Sequence, residues 1–131
     1  MRILIAEDDA SSRRFMMKFL SVYGECDVTV DGLETIDAYL IAVKDNNRYD
    51  LICLDIMMPK LDGLKTLKTI RAIEKQNGVD EKNRVKVIMT TALNDKNTIA
   101  TSTENGCDAY AWKPIDSEKF IMVMKKLGLI E

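Results

Sequence analysis

Hydrophobic and polar residues along the chain form two alternating patterns. Short apolar runs, typical of strands, cover residues 2–6, 26–30, 51–54, 85–89 and 108–112. In other stretches apolar residues recur every three or four positions, as in amphipathic helices, and these cover residues 11–23, 33–43, 64–76, 96–105 and the segment from residue 117 onward. Five strand–helix units in succession predict an α/β fold, a doubly wound five-stranded parallel sheet with five helices.

The helical periodicity also predicts which side chains face the core. In the second helix the predicted buried stripe consists of Leu33, Ile36, Leu40 and Val43. The fourth predicted helix contains few apolar residues, so we expect it to pack weakly and to move more easily than the others.

Composition narrows the class of protein. A chain of 131 residues with 47% hydrophobic and 31% charged residues is ordinary for a globular protein, so we expect residues 1–131 to form a single domain with no output domain. The net charge of −2 argues against nucleic acid as the partner. No apolar run approaches the roughly 20 residues of a membrane-spanning helix.

Histidine and cysteine usage excludes further classes. The chain has no histidine, which rules out the common zinc sites and the catalytic triads built on histidine. Its three cysteines, Cys26, Cys53 and Cys107, leave one unpaired in any disulfide scheme. The sequence therefore predicts a protein of the reducing cytoplasm.

Polar residues of distinct types follow four of the predicted strands. Glu7 and Asp8 follow the first strand, Asp55 the third, Thr91 the fourth and Lys113 the fifth. Parallel strands bring their carboxyl ends to one edge of the sheet, so we expect these side chains to meet there. Each residue alone has a simpler explanation, such as a turn, a helix cap or a solvated strand end. The joint pattern of residue type and strand order favours a functional site.

Three carboxylates, one ammonium and one hydroxyl suit phosphoryl transfer. A divalent cation with oxygen ligands, Mg²⁺ above all, relieves the repulsion among neighbouring carboxylates and neutralises charge on a phosphoryl donor. Asp55 ends the central strand, because Pro59 prevents that strand from continuing. We therefore predict that Asp55 is a nucleophile that accepts a phosphoryl group, while Lys113 and Thr91 contact the phosphoryl oxygens.

The sequence resembles the receiver domains of two-component response regulators, in particular the chemotaxis-type (CheY-like) single-domain members. The matching residues extend over nearly the whole chain: Glu7-Asp8, Leu54-Asp55, Met58-Pro59, Asp62-Gly63, Thr91-Ala92, Tyr110 and Lys113-Pro114. The resemblance implies the flavodoxin-like strand order 2-1-3-4-5 and Mg²⁺-dependent phosphotransfer to Asp55 from a sensor histidine kinase or a histidine phosphotransfer protein. It also implies the metal ligands: Asp8 and Asp55 directly, Glu7 largely through water, and the backbone carbonyl of Met57. Asp9, one position further, is assigned a cap or surface role.

The resemblance further implies how phosphorylation is read out. Thr91 moves toward the phosphoryl group, Tyr110 rotates inward, and the face formed by the fourth helix, fifth strand and fifth helix changes its binding properties. Such a chain is a signalling switch, a monomer or transient dimer that phosphorylates and dephosphorylates itself but turns over no external substrate. Its partners are the phosphoryl donor and a downstream protein, with neither nucleic acid nor a membrane.

Two residues depart from the commonest pattern of the family. Met57, two positions after Asp55, and Leu93, two positions after Thr91, are apolar where the family often has polar groups. In the family these positions flank the path of the water that hydrolyses the acyl phosphate. We hypothesise that the two apolar side chains disfavour this water and slow autodephosphorylation.

Four alternatives compete with a phosphorylated switch. A phosphatase of the haloacid-dehalogenase type also uses an aspartyl nucleophile, but it needs a second acid where Met57 stands. A flavin-binding electron carrier shares the sheet topology, yet acids stand where the flavin phosphate would bind. A receiver that only binds is disfavoured by the complete set of site residues. A phosphorelay intermediate that passes the phosphoryl group to a histidine phosphotransfer protein stays open.

Overall fold

A computed structural model describes residues 1–92 and 106–131 of the chain. The strands are Arg2–Ala6 (β1), Glu25–Thr29 (β2), Leu51–Asp55 (β3), Lys86–Thr91 (β4) and Ala109–Trp112 (β5). The described helices are Ala10–Leu20 (α1), Gly32–Lys44 (α2), Gly63–Gln76 (α3) and Ser117–Lys126 (α4). The helix predicted at residues 96–105 and the predicted role of Leu93 lie outside the described residues. Among these four helices, none has the length and apolar character needed to cross a membrane.

The strands follow the order β2-β1-β3-β4-β5, and each neighbouring pair is parallel. This confirms the predicted doubly wound sheet. All five residues of β3 are buried, as expected for a central strand with helices on both faces, whereas in the edge strand β2 two residues are exposed, two are half-buried and one is buried. Because all the strands run in one direction, their carboxyl ends share one edge of the sheet.

Two apolar layers attach the helices to the sheet. Adjacent residues of a strand point to opposite faces, so neighbouring positions of β3 serve different layers. Ile52 belongs to the layer that includes Leu67 of α3, and Leu51 belongs to the layer that includes Met16 of α1 and Phe120 of α4. Burying one such side chain contributes about 1.5–3 kcal/mol.

Each described helix begins after an aspartate. The side chain of the aspartate accepts a hydrogen bond from the backbone N–H three residues later, in the usual manner of an N-cap. The four capping residues are Asp9, Asp31, Asp62 and Asp116. The cap role predicted for Asp9 is therefore confirmed, and the starts of the helices are fixed at the carboxyl edge of the sheet.

The buried face of α2 differs from the predicted stripe, which was wrong by about one residue. Leu33 and Leu40 are 51% and 42% exposed, whereas Thr35, Tyr39 and Ala42 are buried. One residue corresponds to about 100° of rotation around a helix. The hydroxyl groups of two of the buried residues explain why a count of apolar positions missed this face.

Close contact at the start of α2 sets its rotation. A Cβ on Gly32 would lie 2.2 Å from the carbonyl oxygen of Leu61, so only glycine lets the helix begin this close to the loop after β3. On the buried face, the hydroxyl oxygen of Thr35 is 2.8 Å from that of Thr29. Polar atoms on this face are thus satisfied within the fold.

Candidate functional site

The predicted carboxylates meet at the carboxyl edge of the sheet. One oxygen of each of Glu7, Asp8 and Asp55 lies within 4.8 Å of the others. Glu7 and Asp55 are 1% and 2% exposed, whereas Asp8 is exposed. Together with Lys113, these three residues are called the acidic site below.

The ammonium group of Lys113 contacts both buried carboxylates. Its Nζ is 2.7 Å from Glu7 Oε1 and 3.2 Å from Asp55 Oδ2. Lys113 directly follows β5, its backbone N–H donates to the carbonyl of Thr91 at 2.8 Å, and its peptide bond to Pro114 is cis. The shorter contact, to Glu7, was not predicted, because the sequence assigned Lys113 to the phosphoryl oxygens.

Backbone contacts fix Asp55 at the end of β3. Its Oδ1 accepts a hydrogen bond from the Met57 N–H at 3.2 Å, and the N–H of Ile56 donates to the Thr90 carbonyl at 3.1 Å. Gly63, the first residue of α3, is so close that a Cβ would lie 2.2 Å from the carbonyl oxygen of Asp55. Glycine is therefore required where α3 begins against the backbone of the candidate nucleophile.

The buried acids have pKa values shifted in opposite directions. Burial, together with the hydrogen bond and the charge of Glu7, raises the pKa of Asp55 to about 7, although Lys113 opposes this rise. Burial also acts to raise the pKa of Glu7, but hydrogen bonds with Asp55 and Lys113 outweigh it and hold that pKa below its ordinary value. Near pH 7 Asp55 is therefore only partly ionised, and added positive charge would favour the ionised form.

The pKa of Lys113 is also shifted, by burial and by the neighbouring carboxylates acting in opposite directions. Burial alone lowers the pKa of the ammonium group, but the hydrogen bond to Glu7 and the charge of Asp55 outweigh it, so the pKa of Lys113 is raised. Lys113 therefore stays positively charged next to the candidate nucleophile at neutral pH.

The donor atoms of the acidic site fit a hard divalent cation. Among the described residues, buried Glu7 Oε1 is paired only with the ammonium group of Lys113. The Asp8 carboxylate likewise makes no hydrogen bond within residues 1–92 and 106–131. The ligand atoms on offer are carboxylate oxygens, which Mg²⁺ prefers, and a cation would relieve the excess of negative charge.

The other predicted site residues lie around the acidic site. Thr91 is buried at the end of β4, the strand next to β3. Met57 follows Asp55 closely and exposes 62% of its side chain. Tyr110 of β5 pairs with Met89 and is half-buried against the apolar layer that includes α3. Thr91 and Met57 thus lie near Asp55, Tyr110 lies on the strand that leads to Lys113, and their individual roles stay predictions.

One contact at the site was not anticipated from the sequence. Arg13 of α1 donates from Nη1 to the carbonyl oxygens of Glu7 and Asp8, at 2.9 and 3.3 Å. The only available signal was its place one helical turn after the Asp9 cap, from which a long side chain can reach back to the end of β1.

Known sequences similar to this chain include a receiver-domain family and a curated response regulator. The sequence profile of the response regulator receiver domain family matches residues 3–125. A curated relative, response regulator MprA of Mycobacterium sp. (strain KMS), is 33% identical over 127 residues, which are 96% of this chain and 50% of the relative. The chain thus spans about half the length of this relative.

Solved structures share the fold. A chain in the CheX–CheY–BeF3–Mg²⁺ complex from Borrelia burgdorferi aligns with a TM-score of 0.83 and 24% identity, covering 100% of this chain and 90% of that chain. A chain in the co-crystal structure of the Saccharomyces cerevisiae histidine phosphotransfer protein Ypd1 and the receiver domain of Ssk1 aligns with a TM-score of 0.81 and 24% identity, covering 95% and 87%. At this level of identity the likeness shows the fold alone.

Proposed function

This chain belongs to the response regulator receiver domain family, and from that premise we propose that it is a phosphoacceptor switch of a two-component system in which Asp55 accepts the phosphoryl group. One observation carries the proposal: Asp55 is a buried carboxylate at the carboxyl end of the central strand, in contact with Lys113 and beside two further acids. The proposed donor is the phosphohistidine of a sensor histidine kinase or of a histidine phosphotransfer protein.

The proposed reaction exchanges one bond to phosphorus for another. A carboxylate oxygen of Asp55 attacks the phosphorus atom, a P–O bond forms as the P–N bond breaks, and the imidazole of the donor leaves. Asp55 must attack as an anion, so the burial that raises its pKa to about 7 has to be offset by positive charge. The contact between Lys113 and Asp55 supports a role for Lys113 in supplying part of this charge and in pairing with the phosphoryl oxygens.

The proposed cofactor is Mg²⁺, held directly by Asp8 and Asp55, largely through water by Glu7, and by the backbone carbonyl of Met57. When bound, the cation would supply positive charge that favours the ionised nucleophile and balances the phosphoryl oxygens. Support comes from the three clustered carboxylates and from the buried Glu7 Oε1, which has no partner among the described residues besides the Lys113 ammonium group.

We propose that Thr91 and Tyr110 transmit the phosphorylated state. Thr91 is buried on the strand next to β3, and its backbone carbonyl accepts a hydrogen bond from the Lys113 N–H. This position supports a role for its hydroxyl as a donor to a phosphoryl oxygen. Tyr110 lies on the neighbouring strand β5. Movement of both residues would alter the face formed by β5, α4 and the helix predicted at residues 96–105, which would then bind a downstream protein.

We propose that the chain is a signalling protein whose only chemistry is its own phosphorylation and dephosphorylation. A phosphatase of the haloacid-dehalogenase type would need an acid in the place of Met57. We propose that this receiver chain acts in the cytoplasm as a monomer or transient dimer. Onward transfer to a histidine phosphotransfer protein stays an untested alternative.

Intact mass measured after incubation with a small acyl-phosphate donor tests the proposal. We expect the wild type to gain a single phosphoryl group only when Mg²⁺ is present, and Asp55→Asn to gain none. A phosphoryl group that forms equally in Asp55→Asn would refute the assignment of the nucleophile. A wild type that neither gains the group nor binds Mg²⁺ would refute the site as drawn.

A further inference from the structure

Asp8 is the least supported of the three carboxylates. It is exposed, and its side chain makes no hydrogen bond with the part of the chain that the structure describes. Glu7, by contrast, accepts a hydrogen bond from the Asp9 N–H at 3.2 Å and pairs with Lys113, and Asp55 is buried at the end of β3. The position of the Asp8 carboxylate therefore depends on the backbone that carries it.

Arg13 holds this backbone on both sides of Asp8. Its Nη1 donates to the carbonyl oxygen of Glu7 at 2.9 Å and to that of Asp8 at 3.3 Å. These oxygens belong to the two peptide groups that flank the Asp8 Cα. Because peptide groups are planar, holding both carbonyl oxygens restricts φ and ψ of Asp8 and so the direction of its Cα–Cβ bond.

Arg13 is itself well anchored. Its backbone N–H donates to the carbonyl of Asp9 at 2.9 Å, and the Asp9 side chain caps α1 by accepting from the Ser12 N–H at 2.8 Å. On the other side of the loop, the N–H of Glu7 donates to the Thr29 carbonyl at 3.0 Å. The loop that carries Asp8 is thus tied to both α1 and β2.

We propose that Arg13 is a positioning residue that presents the Asp8 carboxylate to the divalent cation. This inference rests on the proposed Mg²⁺-dependent function and adds a residue to it. The planar guanidinium offers several N–H donors in fixed directions and can hold two carbonyls at once, whereas a lysine ammonium is a flexible point charge. Arg13→Lys therefore keeps the charge and removes the geometry.

The charge of Arg13 and its hydrogen bonds have opposite effects on Mg²⁺ binding, so substitutions can separate the two. A positive charge near the carboxylates weakens cation binding, so removing the charge alone strengthens Mg²⁺ binding, while losing the two hydrogen bonds weakens it. Arg14 is a matched control: it is exposed, adjacent in α1, and makes no hydrogen bond or ion pair with the described residues.

The experiment is calorimetric titration with Mg²⁺ of the wild type and of Arg13→Lys, Arg13→Gln, Arg14→Lys and Arg14→Gln. We expect Arg13→Lys to raise the Kd for Mg²⁺ by roughly tenfold, in the range found for residues that orient metal ligands, and Arg14→Lys to change it less than about twofold. Arg13→Gln is expected to bind more weakly than Arg14→Gln, which reports the effect of charge alone.

Phosphorylation by the acyl-phosphate donor separates positioning from a general loss of structure. In Arg13→Lys the Mg²⁺ concentration for half-maximal rate should rise by the same factor, with the rate at saturating Mg²⁺ within about twofold of the wild type. Equal Mg²⁺ affinity in Arg13→Lys and the wild type would overturn the inference alone, and so would a lower maximal rate with unchanged half-saturation. A wild type that binds no Mg²⁺ would overturn the proposed function as well.

Discussion

Two groups of buried charges lie at opposite ends of the sheet, and they differ in how completely they are paired. The acidic site lies at the carboxyl ends of the strands. The second group, named here the Arg71 cluster, consists of Arg71, Glu74 and Asp108 and lies where β4 and β5 begin. Its side chains are 11%, 4% and 12% exposed, so both groups are largely removed from water.

In the Arg71 cluster each charge is met by several partners. Arg71 is 2.7 Å from Glu74 and 3.0 Å from Asp108, and it also donates to the carbonyls of Gly106 and Val85. Both acids accept backbone N–H groups as well, Glu74 from residue 85 at 2.7 Å and Asp108 from residue 87 at 2.8 Å. Such pairing is typical of buried charges with a structural role.

In the acidic site one ammonium group, that of Lys113, pairs with only two of the three carboxylates. Asp8 makes no hydrogen bond with the described residues, and Glu7 Oε1 has only its ion pair with Lys113. The pKa of Asp55 is raised to about 7 by burial and by Glu7. Incomplete pairing, and not burial of charge as such, therefore distinguishes the end of the sheet at which we propose that a cation and a phosphoryl group bind.

The largest expected effect is the loss of stability in Arg71→Met. The substitution leaves buried Glu74 without its cation and leaves Asp108 with only Arg84, whose Nη2 is 4.0 Å from Asp108 Oδ1, so the free energy of unfolding should fall by about 3–5 kcal/mol. Urea unfolding followed by circular dichroism measures this change, and added Mg²⁺ should not restore the loss.

Lys113→Met is the matched substitution in the acidic site. It should destabilise the protein less, by about 1–2 kcal/mol, because Lys113 is 22% exposed, and Mg²⁺ should recover part of the loss by replacing the missing positive charge. A loss in Arg71→Met that Mg²⁺ repairs, or one smaller than in Lys113→Met, would contradict the division between a structural and a functional cluster.

The next largest effect is a pH dependence of stability that comes from Asp55. Its pKa is about 7 in the folded protein and near 3.8 otherwise, so between these values the folded state holds the proton more tightly than the unfolded state. The contribution of Asp55 to the free energy of unfolding should therefore fall by about 2 kcal/mol between pH 5 and pH 7. Above pH 7 it should level off. Urea midpoints measured across this range test the prediction.

Asp55→Asn and Mg²⁺ are the controls for this pH dependence. The amide cannot titrate, so the decline should be missing in the variant. Saturating Mg²⁺ should flatten it in the wild type, because the cation favours ionised Asp55 at every pH. The lowered pKa of Glu7 acts in the opposite sense, with stability lost only as pH falls below its ordinary value of 4.5, outside this window. An equal decline in Asp55→Asn would assign the titration to another group.

The acidic site was predictable from the sequence because its geometry follows from topology. In a parallel sheet, the residue after each strand lies at one edge, so strand order and residue type sufficed to bring Glu7, Asp8, Asp55, Thr91 and Lys113 together. The sequence did not predict which carboxylate Lys113 would contact most closely, since that depends on side-chain distances of 2.7 against 3.2 Å.

The buried face of α2 and the Arg71 cluster were not predictable, for a shared reason. Both depend on polar groups that become buried because distant partners satisfy them. Tyr39 of α2 is buried, and its pKa is raised by burial and by Glu74 of α3, with which it shares a hydrogen bond. Glu74 is separated by more than thirty positions along the sequence from this partner. A pattern of apolar positions contains no signal for such pairs.

The smallest expected effect concerns the lifetime of the phosphoryl group. Met57, two positions after Asp55, is an apolar residue that is 62% exposed, and we expect it to disfavour an ordered water molecule there. In Met57→Asn a polar side chain can hold such a water, so the acyl phosphate should hydrolyse several-fold faster, which corresponds to about 1 kcal/mol in the barrier. The decay of the phosphorylated mass after removal of the donor measures this rate.

Met122→Asn is the matched control for Met57→Asn. Met122 lies in α4 and is 60% exposed, so the same change of residue type and exposure is made away from the acidic site. The acyl phosphate of Met122→Asn should have the same lifetime as that of the wild type. An unchanged lifetime in Met57→Asn would mean that the polarity of this side chain does not limit access of water. The acidic site would then control the rate of acyl-phosphate hydrolysis through its charges alone, above all those of Lys113 and the cation.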